Sequence, residues 1–419
     1  MSVVNRKKII ASFHHGFAGG SKNTSRLLHF LSLNGCDVEA YFFETPQFFN
    51  YTKSKINTHV INSNSIHSEV IEPSILKNYS FSNKIIESVN VNDDNILFGA
   101  NLWPYCDLML EVKNQLSHIH NNNSKLILHP VGSDIWQIGP QIKPRVKWLL
   151  DNPSVDFVFT YSESFLNDIK EYYDIQREIH VLPPLVESLR FFPISEADKL
   201  LRRNVLGFKY DDFIIHHHSS MRKIKCPEVV IDIAIKSSQQ ISNSCILIMV
   251  GPVPYEGIAS LNLNLENVID NPPFIYVTKK NNLTIYWTGV LTNVEYLLQI
   301  ADLELNASLN DSFNISLMEA LACGIPVVTS DVVGISKNII EAKAGYCFPT
   351  EKLMYIELNL IINSGKDKNY LFDIDYAISA VTSIARGQTS KIMGDNGAKY
   401  VSETFNTKKI TDKFYKLIK

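Results

Sequence analysis

Short apolar runs alternate with amphipathic segments along most of the chain. Lys8–Phe13 reads as a buried strand. A glycine-containing loop, His14–Lys22, follows, then a helix from about Thr24 to Leu33 that stops at Gly35. Val38–Phe43 is the next strand, with others at Asn95–Phe98, Lys125–Leu128, Phe157–Tyr161 and Ile179–Leu182. The pattern restarts after Pro193. Strands are expected at Asp212–His217, Cys245–Val250, Thr284–Trp287, Leu303–Leu305 and Pro326–Thr329, with a helix at Pro227–Ser237. Strands alternating with helices imply parallel sheets covered on both faces. The polar stretch Lys53–Ser80 reads as a variable loop, Pro183–Pro193 as a linker, and Ala398–Ile418 as one or two terminal helices. The expected fold class is α/β, with two doubly wound Rossmann-like domains at residues 1–193 and 194–397 and a helical segment at 398–419.

Composition narrows the function classes. The 419 residues carry 40 basic and 43 acidic side chains, for a net charge of −3. That balance argues against a general nucleic-acid or membrane-surface binder while allowing a local basic patch. The six cysteines are scattered with no C-x-x-C pair, which fits reduced, buried thiols and neither a disulfide framework nor a zinc site. The first residues lack the apolar run of a signal peptide, and no stretch approaches the ~18 apolar residues of a membrane span. The expected location is cytoplasmic, with peripheral contact to the inner face of the membrane left open.

Four segments fall at strand ends, where open α/β sheets bind ligands. The loop containing Gly16, Gly19 and Gly20 joins the first strand to the first helix, but its spacing is not G-x-G-x-x-G. Glu44, ending the second strand, is a candidate ribose-binding acid. His129-Pro-Val-Gly-Ser-Asp134 offers a polar turn that either meets sugar hydroxyls or caps the next segment. Ser219–Lys225 carries Arg222 and Lys225, a planar fork and a point charge suited to a diphosphate, or else solvated surface charge. His216-His217-His218 alternate faces along a strand, so the three are not expected to converge on one ion. The strongest segment is Asp311–Gly334. A helix starting near Phe313 and closed by Gly324 and Pro326 would present free N–H groups near Asn314–Ser316 to an anion. Asp311 lies just before that helix and Glu319 within it.

This last segment resembles the E-x7-E region of the retaining, GT-B-fold glycosyltransferases of family 4, with Asp311 and Glu319 in the two acidic positions and Ala320–Val328 matching the Ala-Met-Ala-x-Gly-x-Pro-Val-Val run. Tyr161-Ser-Glu-Ser, Ile179–Pro193, Ile246–Pro254 and Ile285–Val290 resemble further motifs of that family in order, so the likeness covers most of residues 120–350. Ile215–Cys226 is similar to the HxSNFRxVKR variant of the N-acetylglucosaminyl-malate synthase subgroup. The resemblance implies GT-B architecture, two Rossmann-like domains facing a central cleft. It implies that Glu319 binds the ribose and that Asp311 meets donor-sugar hydroxyls. Arg222 and Lys225 would neutralise the diphosphate, with help from Gly20 and the backbone of Asn314 and Ile315. His129 or Asp134 would line the region of catalysis, and Gly289 and Val290 would lie near the nucleobase. Three features depart from the family pattern. The first acid is Asp311, the following glycines are Ser312 and Asn314, and Val131 stands before Gly132 where the family has histidine, with His129 two places early.

The activity so implied is transfer of a hexose-type sugar from a nucleoside-diphosphate sugar, UDP-linked by family habit, to an acceptor hydroxyl with retention, in bacterial surface polysaccharide or glycoconjugate synthesis. The acceptor could be a glycan, a lipid-linked glycan, a small molecule or a protein. No metal and no cofactor beyond the donor are expected, and homo-oligomerisation is left open. The departures motivate one alternative, a catalytically weak subunit that supports a partner enzyme. A nicotinamide-dependent oxidoreductase is disfavoured by the missing dinucleotide fingerprint.

Overall fold

The computed structural model describes residues 8–13, 19–42, 56–60, 85–87, 89, 95–100, 102, 106–120, 122–136, 140–252, 263–268, 271–353, 355–364, 366–387 and 389–418. The chain forms two compact units, Met1–Leu185 with Thr407–Lys419, and Val186–Asn406.

The first unit holds β1 (Lys8–Phe13), β2 (Asp37–Phe42), β3 (Ile56–Val60), β4 (Ile96–Ala100), β5 (Lys125–His129), β6 (Phe157–Thr160) and β7 (His180–Val181) in the order β3-β2-β1-β4-β5-β6-β7. Every pairing is parallel. This is the doubly wound order, with its topological switch between β1 and β4. All five β4 residues are buried, as expected of a central strand covered on both faces. The helix Gly19–Leu33 runs out of the loop after β1. Ser162 caps the helix Glu163–Tyr173 by accepting from Phe165 N at 3.2 Å.

The second unit holds β8 (Phe213–His218), β9 (Cys245–Val250), β10 (Glu266–Asn267), β11 (Tyr276–Lys280), β12 (Leu283–Trp287), β13 (Leu303–Leu305), β14 (Val327–Ser330) and β15 (Gly345–Phe348) in the order β10-β11-β12-β9-β8-β13-β14-β15. The six strands from β12 to β15 in that order pair in parallel, and β10 and β11 add antiparallel at one edge. The switch point lies between β8 and β13, where Leu303 pairs with Ile215 and Glu304 with His216.

Three expectations need correction. Lys53–Ser80 is not wholly loop, because Ile56–Val60 pairs with β2 as an edge strand. Its middle residues, Asn57–His59, are exposed, so no apolar alternation marks it in the sequence. Ala398–Ile418 is not one segment. The helix Ser390–Thr404 belongs to the second unit, whereas the helix Thr407–Leu417 belongs to the first. Two glycines let the former lie against the helix Ile315–Ala322: a Cβ on Gly394 would stand 2.0 Å from Gly324 O, and one on Gly397 2.8 Å from Leu321. The latter inserts Ile410, Phe414 and Ile418 into the core with Phe98 and Phe159. The division of units therefore falls between Leu185 and Val186 and again between Asn406 and Thr407, rather than at 193 and 397.

Phe414 is fully buried with its ring 6.0 Å from that of Phe159. Phe414→Ala is expected to cost the first unit about 3–5 kcal/mol. Chemical denaturation followed by hydrogen exchange resolved to each unit checks this, and protection lost equally from both units would contradict the assignment of the last helix.

Candidate functional site

The carboxyl ends of β8, β9 and β12 lie side by side in the second unit, and glycines let their loops approach. A Cβ on Gly251, just past β9, would stand 2.3 Å from Ser219 O, and its φ of +154 disfavours any side chain. Gly251 N donates to Gly289 O at 2.9 Å, and Gly289, at φ +70, is followed by the exposed Val290. The two positions expected near a nucleobase thus sit beside the loop that carries the cations.

That loop leaves β8 through Ser219 and turns at Met221 (φ +50) into a 3-10 turn, Lys223–Lys225. Arg222 is exposed, with Nε 3.1 Å from Ser220 Oγ. Ile224 is buried, and its carbonyl accepts from Leu309 N at 2.9 Å, which ties the turn to the loop after β13. Lys225 is thereby aimed at Asp311, with which it forms an ion pair. The other Asp311 oxygen accepts from Phe313 N at 3.2 Å and Asn314 N at 3.0 Å. The cation expected at the diphosphate and the acid expected at the donor sugar are directly joined.

The helix Ile315–Ala322 begins at Asn314, whose Oδ1 accepts from Leu317 N and from Ser316 Oγ. Asn314 adopts φ +72, which asparagine tolerates better than most side chains. Its Nδ2 is buried without a hydrogen-bond partner. The helix closes at Gly324 (φ +75), with Ile325 N donating to Ala320 O at 3.0 Å. Its first amides have no acceptor within the helix. One end of the helix therefore carries an ammonium, a capping amide and free N–H groups, a set suited to a phosphate.

Glu319, one helical turn further on, is 2% exposed. Its Oε2 lies 3.0 Å from His218 Nε2. The His216-His217-His218 run alternates faces, as expected, and the three rings do not converge on one point. His217 faces one side, with its ring nitrogens 2.8 Å from Leu305 O and 3.0 Å from Ser219 Oγ. His216 and His218 share the other side and converge on Glu304, because residues two apart in a strand point the same way. His216 Nδ1 is 2.6 Å from Glu304 Oε2, and His218 Nδ1 is 3.5 Å from Glu304 Oε1. The three approach within 4.8 Å of one another. The 2.6 Å contact is a hydrogen bond between the His216 ring and the Glu304 carboxylate. Burial works against the charge on His218, but Glu304 and Glu319 outweigh it and raise its pKa to about 9. Burial likewise opposes ionisation of Glu304, yet His216 and His218 bring its pKa to about 2. His216 is pushed down by burial against the pull of Glu304. At neutral pH the inner part of the row reads neutral His216, Glu304 carboxylate and His218 imidazolium, with Glu319 Oε2 against the last.

The remaining candidates belong to the first unit. Gly20 lies within the first turn of the helix Gly19–Leu33, not in a loop before it. Residues 14–18 of that loop, and Glu44, lie outside the described residues. Asp134 is buried and spends both oxygens on its own turn and a neighbour, accepting from Gly132 N at 2.8 Å, Val131 N at 3.0 Å and Leu102 N at 2.8 Å. Burial raises its pKa while those amides oppose the shift. His129 ends β5, with its ring 4.4 Å from Tyr161 and 5.6 Å from Phe98. Neither of its nitrogens has a hydrogen-bond partner, and burial lowers its pKa to about 3. The basic residues Lys143, Arg145 and Lys147 all have partners within the unit: the Tyr172 ring at 3.6 Å, Asp107 and Trp148, and the carbonyls of Tyr173 and Asp174.

Buried neutral histidines set an acid limit. His129 and His217 protonate at about 3 and about 4 when folded, against 6.5 when exposed. Between those values the unfolded chain holds more protons, so stability falls as pH drops from about 6.5 toward 3. His129→Leu is expected to remove part of that slope and to leave stability near pH 7 unchanged or higher, since it deletes two unpaired buried nitrogens. Melting temperature against pH checks both.

Residues 198–369 match the family described as glycosyl transferases group 1. Among curated proteins, N-acetyl-alpha-D-glucosaminyl L-malate synthase of Bacillus anthracis is 25% identical over 226 residues, 53% of this chain and 54% of that protein. D-inositol 3-phosphate glycosyltransferase of Jonesia denitrificans is 23% identical over 188 residues, 42% of this chain and 40% of that protein. The matched stretch thus spans about half the length of these curated relatives or less. Solved structures match over nearly the whole chain. The Anabaena HepE protein in complex with UDP and glucose covers 98% of this chain and 99% of its own, with a TM-score of 0.66 at 16% identity. WaaG, a glycosyltransferase involved in lipopolysaccharide biosynthesis, covers 97% and 98% with a TM-score of 0.64 at 13% identity. The fold is that of the GT-B glycosyltransferases. Among the described residues, no helix is long and apolar enough to cross a membrane.

Proposed function

We propose that this protein is a retaining glycosyltransferase that moves a hexose-type sugar from a nucleoside-diphosphate sugar to an acceptor hydroxyl without a metal ion. One observation carries the reading. Lys225, the amides at the start of the helix Ile315–Ala322 and the buried Glu319 lie along one strand-end edge of the second unit, in the order a diphosphate and its ribose require. The match of residues 198–369 to glycosyl transferases group 1 supports it independently.

The chemistry follows from charge. Breaking the bond between the sugar C1 and the phosphate oxygen puts negative charge on the departing diphosphate. Lys225 is held in place by Asp311, and the helix amides are fixed by the fold, so both are aligned before that charge develops. Such preorganised groups stabilise the transition state more than the ground state. The departing phosphate oxygen takes the proton of the acceptor hydroxyl as its oxygen bonds to C1. Asp311, oriented by the amides of Phe313 and Asn314, is the residue proposed to meet donor-sugar hydroxyls, in exchange for part of its present contacts. Uridine is the base proposed, in keeping with the UDP held by the HepE structures.

Thermal shift against UDP, GDP, ADP, CDP and dTDP, followed by transfer assays with their sugars, tests the reading. One nucleotide is expected to raise the melting temperature, and its sugar to be transferred with the anomeric configuration retained. Lys225→Ala is expected to lower turnover on the order of 10²-fold, as loss of one preorganised charge-stabilising donor does elsewhere. Failure of every nucleotide to bind would sink the proposal, whereas binding without transfer would favour the supporting-subunit alternative.

A further inference from the structure

The row His216–Glu304–His218–Glu319 has a feature that donor binding alone does not require. Its inner members, His216 and Glu304, have no exposure, and they come from two strands that meet at the switch point of the second sheet. A buried carboxylate is costly unless it is paired. Here the pairing runs in one direction, from His216 to Glu304 to His218 and then outward to Glu319. His218 is the one residue of the row that touches both carboxylates, at 3.5 Å and 3.0 Å, and its backbone N also approaches Glu304 Oε1 at 3.3 Å.

We propose that His218, itself held by Glu304, is a positioning residue that orients the Glu319 carboxylate toward the vicinal diol of a nucleotide ribose. The inference rests on the donor-binding reading above and goes beyond it by naming residues that need not touch the ligand. A glutamate inside a helix has several rotamers, and a carboxylate offers about four acceptor positions. With His218 fixed on Oε2, one side of Glu319 is spent and the geometry of the rest is set. A diol needs two acceptors in a defined place, so holding the carboxylate still saves the ordering cost at binding.

The titratable groups facing His218 are Glu304 on β13, Glu319 on the helix Ile315–Ala322, and His216 two residues back on β8, with ring centroids 5.3 Å apart. His217 points to the opposite face. The sign of the pH dependence follows. Its two carboxylates keep His218 charged up to about pH 9, so its hold on Glu319 is complete at neutral pH and weakens as pH rises through about 9.

The test measures binding of ADP, GDP and UDP by calorimetry, each against its 2′-deoxy counterpart. The ribo-to-deoxy affinity ratio isolates the diol contact and cancels changes in base or diphosphate binding. In the wild-type protein the nucleotide that binds is expected to show a ratio of roughly tenfold or more at pH 7.5. His218→Ala is expected to bring the ratio close to one, as Glu319→Ala does, and the double variant to go no further, because the two residues act as a unit. His218→Gln, which keeps an N–H near the Nε2 position without a charge, is expected to retain part of the ratio and lose its decline above pH 9. Circular dichroism and melting confirm that the variants fold. If His218→Ala disturbs folding, the His218→Gln pH profile decides alone. A His218→Ala protein that keeps the full ratio, or a His218→Gln protein with the wild-type pH profile, overturns the positioning role while leaving the donor reading intact. Wild-type protein that binds no nucleotide overturns both. Stoichiometric metal in the purified protein, lost in His216→Ala, also overturns it, because the row would then be a ligand set.

Discussion

Where β8 lies against β13, the winding of the second sheet reverses, and the connections leaving the two strands diverge toward opposite faces. The loops after β8 and β13 meet each other at that point. Ile224 O accepts from Leu309 N across that meeting, Lys225 reaches Asp311, and the helix after the second loop starts beside both. The chemistry proposed for this protein depends on that reversal, because it brings the cation of one loop to the acid of the other.

The same pairing carries a burden. It aligns Glu304 with His216 inside the sheet, a carboxylate at zero exposure in a strand otherwise made of leucine. An apolar side chain would fill such a position at less cost. The arrangement is sustained because each charge has a partner and the row ends at Glu319, in the acidic position of the strongest motif. A buried ionic row specifies geometry more than it contributes stability, and geometry is what the ribose contact proposed for Glu319 would need.

The first unit presents a different character. Asp134 is consumed by backbone amides, His129 is neutral and packed between aromatic rings, and Lys143, Arg145 and Lys147 are engaged within the unit. These are the residues of a stable scaffold edge.

Much of this was legible in the order of residues alone. The alternation of apolar runs and amphipathic segments determined two parallel-sheet α/β halves, since strands that alternate with helices pair in parallel and, covered on both faces, carry apolar runs such as Cys245–Val250. The Asp311–Gly334 segment determined a capped helix closed by glycine, because capping and termination are local and depend on residues a few places apart. Tertiary structure alone decided the rest. It placed the last helix with the first unit, since Phe414 finds its core more than two hundred residues upstream. It joined Lys225 to Asp311 across 86 positions and assembled His216, Glu304, His218 and Glu319 from two strands and a helix. A period of two places His216 and His218 on one face. That a glutamate would wait there, on a strand 88 residues away, is a matter of strand order and register, which local pattern does not encode.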